Sequence, residues 1–309
     1  MKEEELKNLK FISIKDRRNK LKISDFMKEE VPFKVSDFLD FLPHVFRADD
    51  LREFVFSLKE ARDNKKPILW MIGDAVIKCG LSPLFSKLAE KGYITWLAGQ
   101  GAVAIHDYEL AMFGETSEFV EDTIKDGKFG MTKETLEFFD KALKRGYKEK
   151  KGMGEIVPEV LLEQSPPYRD KSLMCLLKER NIPMSFHVAV GTDIIHMNPF
   201  LEGDEVGFCT LKDFKRFATY LSEFEKGGVV INVASAVIMP EVFLKGLSIV
   251  RNLGFKVYNF FACNIDQIQH YRPMQNVVLR PTKDGGKGIA ITANIEIFLP
   301  LLGAILLNQ

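Results

Sequence analysis

The chain has no surplus of charge of either sign. Its 309 residues carry 43 Lys plus Arg against 43 Asp plus Glu, a formal net charge of zero. A surface built to grip nucleic acid or an anionic membrane needs a basic excess, so this balance points away from both and toward a small molecule or another protein as partner. Long apolar runs are absent too, none approaching the ~18 residues that span a bilayer. The opening MKEEELKNLKFISIKDRR lacks the apolar stretch of a secretory signal, and a cytoplasmic protein is expected. Cysteine is sparse: Cys79, Cys175, Cys209 and Cys263 stand singly, without CxxC spacing. That pattern argues against a zinc site or a disulfide frame and fits reduced thiols packed in a core, so no metal is expected.

What is present is alternation. The length favours one α/β domain of ~250–300 residues. The first 50 residues, glycine-free and rich in phenylalanine (Phe26, Phe33, Phe38, Phe41, Phe46), read as an arm plus a helix, and residues 51–309 as a single catalytic domain. Helical apolar spacing over 51–66 stops at Pro67, and the apolar run ILWMIG follows as a buried strand. Strands are then expected at 93–98, 183–190, 228–233, 256–262 and 288–293, with helices at 79–91, 105–113, 170–180, 211–226 and 240–253, a periodic helix within 115–151 and an apolar helix at the end. Such alternation predicts a doubly wound α/β fold, Rossmann-like, whose mostly parallel sheet is covered by helices on both faces.

Sheets of this kind bind ligands beyond the carboxyl ends of their strands, where loops carry polar groups and helix N-termini point outward. The loops expected there hold Asp74, Ala75 and Lys78, then Gly99, Gln100 and Gly101, then Thr192 and Asp193, then Ala234 and Ser235, then Asn264 and Asp266, then Asn294. Gly99-x-Gly101-x-x-Ala104 has the spacing that lets backbone amides approach a pyrophosphate, although a glycine turn without a nucleotide reads the same. Gly285-Gly286-Lys287-Gly288 lacks the Ser/Thr of a phosphate loop and reads as a turn. His187, in mid-strand, reads as a packed core histidine. His196 is a site candidate, and His106-Asp107 would set a base beside a carboxylate near a helix start, where a capping Asp is the competing reading. Glu241 follows Pro240 and is either a first-turn helix acid or a substrate contact.

The order IGDAVIKCGL, AGQGAVAIHDYEL, SPPYRDKSLMCLLKERNIPMSFHVAVGTD, GGVVINVASAV, YNFFACNIDQIQHY and ITANIEIFLPLL resembles deoxyhypusine synthase and its bacterial relatives over roughly residues 30–305. The resemblance implies an NAD-dependent transferase that oxidises a polyamine such as spermidine and moves its aminobutyl group, through an imine on a lysine, to a protein lysine or to a free amine, as in homospermidine formation. It also implies a homotetramer. By the same resemblance the dinucleotide loop falls on Asp74, Ala75 and Lys78, the Thr-Ala-Gly-Gly turn on Gly99 to Ala102, and the Glu-Glu pair on His106 and Asp107. Thr192-Asp193 takes the Thr-Asp-Gly turn, Asn264 the Asn-Thr turn and Asn294 the Ala-Asp-Ala turn, while Val233-Ala234-Ser235 stands where the family has three glycines. The family's lysine sits in a Trp-Gly-Lys context; here the interval reads YRPMQNVVLRPTKDGGKG, with Lys283 and Lys287 near the expected distance.

Three readings follow. In the first, Lys283 or Lys287 forms the imine, His106 and Asp107 serve catalysis, Asp107, Asp193 and Asp266 are the anionic partners of an amine substrate, and His196 and Glu241 contact it as well. In the second, Arg272 and Arg280 select an anionic substrate on the same NAD-binding fold, since a guanidinium repels a polyamine. The third is a nucleotide-binding module without catalysis.

Overall fold

A computed structural model of the chain describes residues 34–308. Most of the expected N-terminal arm, with Phe26 and Phe33, lies outside the described residues. The part inside is a helical turn, Val35–Asp37 running into Phe38–Phe41, and the first long helix, α1 (Phe46–Asp63), which begins ahead of residue 50. Arg52 of α1 ties the turn down by donating to the carbonyls of Leu39 and Pro43 at 2.9 and 3.0 Å.

Six strands follow: β1 (Ile68–Ile72), β2 (Trp96–Gln100), β3 (Met184–His187), β4 (Val229–Val233), β5 (Phe261–Asp266) and β6 (Lys287–Thr292). They pair in the order β3-β2-β1-β4-β5-β6, every neighbour parallel. The expected doubly wound fold is therefore present, and the sheet is wholly parallel. The cause is legible in ILWMI and VVINV, whose side chains are buried on both sides as parallel crossovers require. One face packs Ile68, Trp70, Ile72 and Ile231 against α1, α2 (Ser82–Glu90), α3 (Gly101–Phe113), α4 (Lys133–Glu149), α5 (Met153–Glu163) and α6 (Leu173–Glu179). The other packs Leu69, Met71 and Val230 against α7 (Gly203–Leu221), α8 (Ile238–Asn252) and a π-helical segment, Met274–Leu279. The terminal helix α9 (Ile295–Leu307) returns to the first face. Among the described residues no helix is long and apolar enough to cross a membrane.

Some boundaries differ from expectation, with identifiable reasons. Strand β2 begins at Trp96 because Thr95 turns its hydroxyl onto the backbone of Ile68, 2.7 Å from its N and 3.0 Å from its O, before the ladder starts. It then runs directly into α3, so Gly99 and Gln100 are strand residues. Strand β5 starts five residues later than expected, because Lys256–Phe260 forms a turn that buries Val257 and Phe260 in the second face. Asn264 and Asp266 are consequently in β5. Helix α5, unforeseen, opens at Gly152, whose N–H donates to Glu155 at 2.9 Å. Of the four cysteines expected in the core, Cys79 is exposed, at the end of the single helical turn Ala75–Lys78; the other three are buried.

Candidate active site

The strand order reverses between β2-β1 and β4-β5, so the crevice of such a fold opens at the carboxyl ends of β1 and β4. The two backbones touch there: a Cβ on Gly73 would lie 1.9 Å from the Ala234 carbonyl oxygen, and the Gly73 N–H donates to Val233 O at 2.8 Å. Only glycine permits this approach.

On the β1-β2-β3 side the strand ends carry ionisable groups. Asp74 accepts from Gln100 Nε2 at 2.8 Å, pairs with Lys78 Nζ at 2.6 Å and lies 3.7 Å from His106 Nε2. His106 Nδ1 is 2.7 Å from Thr116 Oγ1; Thr116 donates to Glu109, whose second oxygen accepts from Thr135 at 3.0 Å. Burial holds the His106 pKa below the usual histidine range against the pull of Asp74, so the ring is neutral at pH 7. Asp193, from the loop after β3, lies over the N-terminus of α3. A Cβ on Gly101 would come within 2.2 Å of its Oδ2, and its carboxyl accepts from the Ala102 N–H. Burial, then the Asp74 charge, raise its pKa to about 6, and Oδ2 has no partner among the described residues. Asp193 thus lies at the start of α3, over the Gly99–Ala104 turn that was expected to approach a pyrophosphate.

A cleft of about 1120 Å³ opens over these groups, between the Ala75–Lys78 turn, α3, residues 114–132 and residues 192–194. That is ample for a small substrate. Glu109, Glu115, Glu118, Glu134 and Asp193 line it with Phe113, Phe119 and Phe129, against Lys78 and His106 as its basic groups.

On the β4-β5-β6 side β5 ends on Asp266, and the groups that link the strands are neutral amides. Asn232 Nδ2 donates to Asn264 Oδ1 at 2.7 Å, Asn264 Nδ2 to Gln269 Oε1 at 2.7 Å, and Gln269 Nε2 to Ile291 O at 3.1 Å. Asn232 Oδ1 is buried with no partner among the described residues. Ala234 has φ +49°, a left-handed conformation that a non-glycine residue adopts at a cost of about 1 kcal/mol. The turn it begins leaves the N–H groups of Ser235, Ala236 and Val237 without partners among the described residues, just ahead of the 15-residue helix α8. Unpartnered amides ahead of a helix start are the kind of group that binds an anion, so these residues are compatible with a dinucleotide's phosphates.

Of the residues expected in a site, Asp74, Ala75, Lys78, Gly99, Gln100, Gly101, Thr192, Asp193, Ala234, Ser235, Asn264, Asp266 and Asn294 all reach the carboxyl edge of the sheet. Several others do not join them. Lys287 is the first residue of β6, at the opposite edge, paired with Glu53 of α1, and Lys283 precedes it on an exposed loop. Both therefore lie at the amino-terminal end of β6, away from the carboxyl edge where the other candidates gather. Asp107 is fully buried and its carboxylate is consumed by the N-terminus of α6, accepting from Ser172 Oγ (2.6 Å), Leu173 N (2.7 Å) and Met174 N (2.9 Å), so it caps a helix and contacts no substrate. Glu241 and Arg272 face each other at 3.2 Å beside α8, outside the cleft lining, and Arg280 donates to Asn276 and Tyr271. His196 Nδ1 accepts from the Asp193 N–H at 3.2 Å, so it braces the Asp193 turn. His187 is buried against Phe217 with its pKa pushed down to about 3. Glu109 and Thr116 belong to the site but were not expected; helical i,i+3 spacing from His106 is the one signal that marks Glu109.

Comparison with known proteins places residues 52–145 in the Rossmann-fold model of the C-terminal region of arginine dihydrolase ArgZ-like proteins. The similarity is to a part of ArgZ. No curated protein sequence is close enough to match. Among solved structures, AgrE in ternary complex with ornithine and NAD+ superposes with a TM-score of 0.51 at 17% identity, over 83% of this chain and 32% of that one. A conserved protein from Methanococcus maripaludis S2, provisionally named LOR/SDH, gives 0.51 at 15% identity over 96% of this chain and 75% of its own. A protein provisionally named deoxyhypusine synthase from Entamoeba histolytica gives 0.43 at 12% identity over 77% and 73%, a level that supports no conclusion. The chain spans about a third of the ArgZ and AgrE chains it matches. At these identities the likeness establishes the Rossmann-like fold.

Proposed function

We propose that the chain is an NAD-dependent enzyme acting on an aliphatic amine. The observation that carries this reading is the cleft over the strand ends, where five carboxylates face two basic groups. An ammonium is the ligand such a lining favours, because it gives a carboxylate a charge-assisted hydrogen bond in a partly desolvated space. NAD, when bound, supplies a hydride acceptor. The N–H groups of Ser235, Ala236 and Val237 hold its phosphates, beside the close approach of the Gly73 and Ala234 backbones. Asp193 offers an unpartnered carboxylate oxygen to the amine, and neutral His106 a place for its proton. AgrE, a part of which shares this fold, forms a complex with ornithine and NAD+, and that is in keeping with this reading.

A narrower form of the proposal is aminobutyl transfer from spermidine, deoxyhypusine synthase-like, supported by the order of motifs along the chain. With Lys283 and Lys287 at the far edge, the acceptor amine attacks the oxidised substrate directly. The anionic-substrate alternative is disfavoured because Arg272 is already matched by Glu241. The proposal includes a homo-oligomer, for which the exposed Phe46 and Phe56 of α1 provide apolar contact area, and light scattering tests it.

Calorimetric titration with NAD, followed by incubation with NAD plus spermidine or ornithine under NADH absorbance and mass spectrometry, tests the function. Affinity tighter than ~1 mM, about 4 kcal/mol, and amine-dependent NADH formation are expected. Absence of NAD affinity at that level overturns the cofactor, and binding without consumption of either amine overturns the substrate class.

A further inference from the structure

The hydrogen bonds around His106 determine which of its ring nitrogens carries the proton. Glu109 accepts from two hydroxyls, Thr135 on one oxygen and Thr116 on the other. A threonine hydroxyl has one proton, and Thr116 spends it on Glu109. The oxygen of Thr116 therefore faces His106 Nδ1, 2.7 Å away, with a lone pair, and the ring must supply the N–H. In a neutral ring that leaves Nε2 unprotonated. Nε2 is the nitrogen on the Asp74 side, 3.7 Å from Asp74 Oδ2, and His106 lines the cleft floor. The groups facing the ring are Asp74 from the end of β1, Lys78 from the adjoining turn, Glu109 from its own helix and Thr116 from residues 114–132. Asp74 itself accepts from Gln100 through Oδ1 and pairs with Lys78 through Oδ2.

We propose that His106 is the proton acceptor for the amine substrate, acting through Nε2, and that Thr116 and Glu109 are positioning residues that fix its tautomer. The inference rests on the amine reading above for its substrate. In the step, the N–H bond of the bound ammonium breaks, its electron pair stays on nitrogen, and the proton forms the Nε2–H bond of an imidazolium whose other N–H is held by Thr116. Amine and imidazolium leave with the charge that ammonium and imidazole brought. The arrangement follows the general logic of a base oriented by a second group, with a hydroxyl inserted between base and carboxylate.

The tautomer can be read without cofactor or substrate. Long-range 1H–15N correlation spectra of the full chain, with the His106 signals identified by their loss in H106Q, should show Nδ1 protonated and Nε2 bare at pH 7. In T116V the ring should revert to the Nε2–H form that free histidine prefers, and T116S should restore the original pattern. An Nε2–H ring in the wild type, or an unchanged spectrum in T116V, overturns the relay. With NAD and an oxidised amine in hand, H106Q should lower kcat about 10²–10⁴-fold and T116V less, both with NAD affinity within twofold of wild type. Full activity in H106Q overturns the base role. If the spectra behave as expected while no amine is consumed, the substrate reading fails and the relay stands.

Discussion

The two halves of the sheet share a backbone plan and differ at their carboxyl ends. On the β1-β2-β3 side Asp74, Lys78, His106, Glu109 and Asp193 form an ionisable network under a cleft. On the β4-β5-β6 side Asn232, Asn264 and Gln269 form an amide ladder without formal charge, and the Ala234–Val237 turn presents bare N–H groups. Charged groups move protons and select a cation; neutral donors at a helix start accept an anion without placing a countercharge beside it. The difference suggests a division of labour across the switch point, with substrate chemistry over one half and dinucleotide phosphates over the other. The two helix starts differ in the same way: that of α3 is occupied by Asp193, whereas the turn at 234–237, without glycine, has N–H groups with no partner among the described residues.

This division can be broken experimentally. The largest effect is expected from A236D, which sets a carboxylate among the free amides of the β4 turn: NAD affinity should fall about 10–100-fold, roughly 1.4–2.7 kcal/mol, in calorimetry. Unchanged affinity would move the phosphates to the other half. Next is the pH dependence of stability. Asp193 has a folded pKa of about 6 against an unfolded value near 3.9, so its contribution is full below about pH 4 and is lost as pH rises through about 6. Urea denaturation at pH 4 and pH 7 should therefore show the wild type losing stability relative to D193N, by on the order of 1–2 kcal/mol after allowance for partial exposure. A flat difference would show that burial and the Asp74 charge do not raise the Asp193 pKa. The smallest effect is A234G, which relieves the left-handed alanine and should raise stability by about 0.5–1 kcal/mol, visible as a shifted denaturation midpoint at constant slope.

Much of this architecture is written in local pattern. Apolar runs such as ILWMI and VVINV, bounded by proline or glycine, specify buried strands because a parallel sheet hides both faces of each strand. Short strand-to-helix connections then bring the residues that follow β1, β2, β3, β4 and β6 to a common edge. Local pattern misplaces β5, since KVYNFFA has strand composition yet its first half turns to pack Val257 and Phe260 on the second face. Long-range docking settles the roles of individual side chains. His106 and Asp107 are neighbours in sequence, but the 100° step of a helix turns one toward the cleft and the other into the core, where α6, some 65 residues further on, supplies the N–H groups its carboxylate needs. Lys287 looks well placed by its distance along the chain, but register fixes it at the start of a strand, opposite Phe261 and far from the carboxyl edge. Thr116 comes to His106 only because residues 114–132 fold back over α3. A side chain's chemistry is local, whereas its partner is whatever distant segment the packing of the core brings within hydrogen-bonding distance.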